Sequence, residues 1–164
     1  MIDLYFRKPL LWDYLLATLL CIIIFVINNI GWIFIPVNQN IWSMASDLST
    51  TSLTLAGFII TLLTILITFK SGYRIKKGSK VEDETVFELF FTTNLYFETV
   101  KHLKNCIKSL VFISVLGYSL KLFLNDCAHK YIYFFNIFGL IVVILTLLRS
   151  LMILTKIIDL QKLE

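Results

Sequence analysis

Runs dominated by Leu, Ile, Val and Phe recur four times along the chain, at about residues 11–35, 48–70, 107–124 and 131–154, with polar or charged segments between them. At about 1.5 Å of helix rise per residue, each run is of the order needed to cross a hydrocarbon core about 30 Å thick. The pattern predicts an all-α, polytopic membrane protein with four transmembrane helices, forming a single membrane domain over residues 1–164. Pro9 suits the start of the first helix. A basic start before an apolar run also describes a signal peptide, but this run is too long and lacks a small-residue cleavage site, so a retained span is expected.

The segment between the second and third runs, about 71–106, differs in kind. It opens with a basic loop and continues from Val81 to Lys108 with Phe87, Phe90, Phe91, Tyr96 and Phe97 spaced among polar residues. Glu82, Asp83 and Glu84 suit a helix N-terminus, while Lys101, Lys104 and Lys108 share one face near the end. This predicts a cytoplasmic amphipathic helix, continuous or broken, that feeds the third span. It could lie on the membrane surface or pack between subunits.

Within the second run the residues are not uniform. Thr50, Thr54, Gly57, Thr61, Thr64, Thr68 and Ser71 recur at alternating steps of 4 and 3, which on a helix is one narrow stripe. Such a face is expected to avoid lipid, and two readings stand. It can be a seam of close helix packing, since Gly and back-bonded Thr let backbones approach. Alternatively, it can line a pore ringed by several copies of the helix. Shorter small or polar rows mark the third run (Ser114, Gly117, Lys121) and the fourth (Asn136, Gly139, Val143, Thr146, Ser150).

Composition agrees with the pattern: 58% of residues are hydrophobic and 16% charged, and mean hydropathy is +0.83. That leaves no room for a separate soluble domain of about 100 residues. Charge sets the orientation. Arg7, Lys8, Lys70, Arg74, Lys76, Lys77, Lys80, Lys101, Lys104, Lys108, Arg149, Lys156 and Lys162 fall in loops or helix ends of one side, leaving only Lys121 and Lys130 of the fifteen cations on the other. By the positive-inside rule both termini are cytoplasmic, N-in and C-in. Residues Pro36 to Asp47 carry no Lys or Arg and read as a short outer connection.

The sequence has no Gly-rich phosphate loop, no HExxH, no paired CxxC and no Ser, His and acid set, so no enzyme, cofactor or metal is expected. Asp126, Cys127 and His129 make at best a weak metal site. Cys21, Cys106 and Cys127 sit at different depths, so no intramolecular disulfide is expected. His102 reads as solvated among lysines. Lys121, near an outer helix end, reads as a snorkelling side chain. The basic loop, with Lys70, Arg74, Lys76, Lys77 and Lys80, is either topogenic charge held to anionic lipid or an anion site for a nucleotide or oligonucleotide.

The run Ser52 to Lys70, the basic loop after it and the Val86-Phe-Glu-Leu-Phe90-Phe approach to another span resemble small multi-span membrane effectors of bacterial anti-phage defence systems, CBASS, type III CRISPR and Hailong among them. The likeness is one of layout over about residues 48–124. It implies a homo-oligomer in the bacterial inner membrane, a tetramer being one candidate, opened or held shut by a nucleotide or DNA-oligomer made by a partner enzyme. Joined to the stripe, it gives the leading expectation of a channel-like effector with Thr54, Gly57, Thr61, Thr64 and Thr68 lining a path. Phe58 or Leu62 would supply a hydrophobic constriction, and Arg74, Lys76, Lys77, Lys80, Lys101, Lys104 and Lys108 would read the anionic regulator. The alternative is an accessory membrane subunit whose stripe packs against a larger partner.

Overall fold

The computed structural model describes residues 9–32, 35, 38–76, 90–91, 94–125 and 129–161. Four long helices account for nearly all of them: α1 (Pro9–Asn29), α2 (Asn38–Lys76), α3 (Asn94–Phe123) and α4 (His129–Gln161). Each is long and apolar enough to span a membrane, which makes the chain a multi-pass membrane protein.

The helix bounds depart from the apolar runs for identifiable reasons. The first run extends to about residue 35, but α1 stops at Asn29 because Gly31 adopts φ 85°. The Trp32 amide donates to the Ile27 carbonyl at 3.4 Å and the Gly31 amide to Asn28 at 3.0 Å. These two bonds form the Schellman closure that a left-handed glycine permits. In α2 the difference runs the other way. Residues 38–47, expected in a connecting loop, are helical. No proline falls between Asn38 and Lys76, and Ile41 and Ala45 are buried against Ile132 of α4, giving the added turns a core contact. The resulting helix has 39 residues, or about 58 Å at 1.5 Å per residue, nearly twice the hydrocarbon thickness.

The third helix likewise begins at Asn94 rather than near residue 107, so the second half of the amphipathic segment and the third span are one uninterrupted rod. The first half, residues 81–89 and 92–93, lies outside the described residues. Phe90 and Phe91 are buried and pack with Tyr96 at ring separations of 6.1 and 5.8 Å. The fourth helix continues past residue 154 to Gln161.

Contacts between residues distant in sequence give the directions. Lys121 of α3 donates to the Ser46 hydroxyl of α2 and Tyr118 meets Thr50, while at the opposite end Lys70 lies over Tyr96; α2 and α3 are therefore antiparallel. The Asn136 amide of α4 donates to the Ile41 carbonyl of α2 at 2.9 Å, and Leu48 lies against Gly139, so α2 and α4 run parallel. The main core, with Ile59, Leu103, Leu110, Ile113 and Val142, sits between α2, α3 and α4. The first helix is peripheral. Its buried residues are Pro9, Asp13 and Ala17, and it packs chiefly on α4. Leu15, Leu19, Ile22 and Val26 on its outer side are exposed and apolar, as on a lipid-facing helix.

Candidate functional site

Two faces of α2 divide the labour of that helix. Ser49, Ser52, Ala56, Ile59 and Leu66 are buried against α3 and α4. At 3.6 residues per turn the threonine stripe centres about 160° away, and Thr54, Gly57, Thr61, Thr64 and Thr68 are all exposed. The stripe is therefore not the seam that holds this chain together. A Cβ added at Gly57 would meet nothing within 4 Å. Each stripe hydroxyl donates to its own helix: Thr54 to Thr50 at 2.9 Å, Thr61 to Gly57 at 3.1 Å, Thr64 to Ile60 at 3.0 Å and Thr68 to Thr64 at 2.9 Å. With the donors satisfied, the face presents methyl groups and hydroxyl lone pairs, and it tolerates an apolar neighbour or water alike. Phe58 stands beside it, 61% exposed. Leu62 instead turns partly inward and lines an apolar groove with Phe69, Leu103 and Ile157.

The small rows of α3 and α4 behave oppositely. Ser114, Gly117, Asn136, Gly139, Val143, Thr146 and Ser150 are all buried. At Gly117 a Cβ would collide with the Ser49 side chain, and at Gly139 it would come 2.6 Å from Leu48. Absence of a side chain is what allows these helices to approach.

Of the cations expected to bind an anion, Lys101, Lys104 and Lys108 lie exposed along one face of α3. The side chains of Arg74 and Lys76, and all of Lys77 and Lys80, lie outside the described residues. Lys70 is committed to the fold, with its Nζ 3.9 Å from the ring centroids of both Tyr96 and Phe97. His102, expected to be solvated, is buried, because its position on α3 faces the core one turn before Cys106.

Arg149 is the largest departure from the sequence reading. Counted there only among the cations near the inner helix ends, it is fully buried, and its Nη1 donates to Asp13 Oδ2 at 2.6 Å. Its Nε also donates to Cys106 Sγ at 3.4 Å, while the Cys106 thiol faces the Thr146 carbonyl at 3.9 Å. Beside the pair, the Tyr14 and Ser109 hydroxyls lie 3.1 Å apart. One polar cluster thus joins α1, α3 and α4. The available signal was a lone acid early in the first apolar run and a lone Arg inside the fourth, since opposite charges within spans commonly pair.

Among the described residues no group of three His, Cys, Asp or Glu side chains could hold a metal ion; Asp126 and Cys127 lie outside them. Cys21 and Cys106 are free thiols. The fold defines a multi-pass membrane protein with four helices, among the described residues, long and apolar enough to span. No known protein family, curated protein or solved structure matches the chain.

Proposed function

We propose that this chain is the subunit of a homo-oligomeric, channel-like membrane effector in which α2 lines or gates a path across the membrane. One observation carries the reading: from Thr54 to Thr68 the stripe is exposed and turned away from the chain's own helices, with Gly57 bare within it. In a ring of subunits such a face would present hydroxyl oxygens to a central path, with Phe58 available as a constriction. Both termini and the α2–α3 connection would be cytoplasmic, by the distribution of Lys and Arg. Lys101, Lys104 and Lys108, together with the basic loop, would bind an anionic nucleotide or oligonucleotide, and the complex would act by depolarising or permeabilising the membrane. By its layout-level resemblance to anti-phage effectors, it would sit in the bacterial inner membrane beside an enzyme that makes the signal. A ligand of this kind controls the path only by binding its open and closed states with different affinity.

The deciding experiment is the native mass of the protein in mild detergent, with and without nuclease, followed by ion flux in liposomes. A closed homo-oligomer that conducts supports the channel, and mass removed by nuclease identifies a nucleic-acid regulator. A monomer without flux overturns the reading and leaves an accessory subunit whose stripe meets another protein.

A further inference from the structure

We propose that α1 is a detachable helix held on a self-sufficient α2–α3–α4 core by the Asp13–Arg149 ion pair, which acts as its clasp. The inference does not depend on the channel reading.

The two parts of the molecule are joined differently. Between α2, α3 and α4 the contacts are close: glycines admit neighbouring side chains at Gly117 and Gly139, and the apolar core is continuous. Of the buried residues of α1, only Ala17 belongs to that core. Beyond the ion pair its seam with α4 opens into a groove of about 390 Å³, where Thr18, Cys21 and Ile22 face Phe135 and Phe138. Further contacts along α1 include the neutral Tyr14–Ser109 pair, the Cys21 thiol facing the Phe134 carbonyl at 3.8 Å, and two aromatic approaches, Tyr14 to Phe138 at 5.8 Å and Phe25 to Phe134 at 5.5 Å. Inside a bilayer these hold weakly. Lipid tails are as apolar as Phe or Leu and can replace such contacts, and neutral interhelical hydrogen bonds contribute little.

The charged pair is different in kind, because hydrocarbon offers neither partner a substitute. Arg149 is in addition anchored to α3 through Cys106 at 3.4 Å, so the α1 carboxylate docks on a guanidinium already positioned by the core. The helix ends at the Gly31 turn, and six residues lie between Gly31 and Asn38, where α2 begins.

The test replaces the pair without leaving a charge behind. In the full chain in lipid nanodiscs, paramagnetic labels at the exposed positions Leu19 of α1 and Leu148 of α4 report docking, and a second pair at Val115 of α3 and Leu140 of α4 reports the core. Attachment through an encoded azide leaves Cys21 and Cys106 native. Asp13→Leu/Arg149→Met is expected to lengthen and broaden the Leu19–Leu148 distance by at least ~10 Å, one helix diameter, with the Val115–Leu140 distance unchanged. The reversed pair, Asp13→Arg/Arg149→Asp, is expected to recover the wild-type distance at least in part. An unchanged Leu19–Leu148 distance in the apolar double variant overturns the clasp, since packing alone then holds α1. Loss of the Val115–Leu140 distance overturns it too, because the pair would then support the whole bundle.

Discussion

Gly117 of α3 lies so close to Ser49 of α2 that a β-carbon on it would overlap the Ser49 hydroxyl. Eight residues further along α2, Gly57 faces open space. The same residue type therefore serves opposite ends on one pair of helices, and substitution separates them. Gly117→Ala is expected to destabilise the subunit by about 1–3 kcal/mol through overpacking. Gly57→Ala is expected to leave it unchanged or stabilise it by up to about 1 kcal/mol through helix propensity. Unfolding of both variants in mixed detergent micelles measures the contrast.

Thr61→Leu and Thr64→Leu address the outward face. Both positions are exposed and their hydroxyls are bonded only to their own helix, so subunit stability is expected to shift by no more than about 0.5 kcal/mol. Conductance of the reconstituted oligomer should fall, because leucine narrows and dries the path. Unaltered flux from a properly assembled Thr61→Leu/Thr64→Leu variant would end the pore-lining assignment.

Lysines on α2 and α3 should sort by role. Replacing Lys101, Lys104 and Lys108 together by Gln removes three exposed charges and is expected to weaken binding of an anionic oligonucleotide while flattening its salt dependence, without loss of stability. Lys70→Gln should do the reverse. It gives up contacts with two aromatic rings and is expected to cost about 1 kcal/mol of stability. Binding titrations at several salt concentrations, paired with unfolding curves, read both effects.

Arg149→Met alone strips Asp13 of the guanidinium paired with it at 2.6 Å. Removing one member of a buried pair is expected to destabilise by about 3–5 kcal/mol, whereas replacing both members by apolar residues costs far less. The non-additivity of Asp13→Leu, Arg149→Met and their combination in a double-mutant cycle measures the coupling directly.

Much of the architecture is a property of single helices and was therefore legible along the chain. The lengths and apolar character of the four runs require only local composition, and the threonine row of α2 requires only the helical repeat. Helix ends were less legible. The Gly31 stop depended on a left-handed conformation the residue permits but does not impose, and residues 38–47 became helix because Ile41 and Ala45 found Ile132 to pack against. Periodicity identified the small rows of α2, α3 and α4 alike, yet could not say which would be buried. Relative placement of the helices decided that: the α3 and α4 rows face inward at Gly117 and Gly139, while the α2 row faces out at Gly57. The Asp13–Arg149 pair belongs wholly to the tertiary structure. Its members are 136 residues apart, and they meet only when α1 is laid against α4.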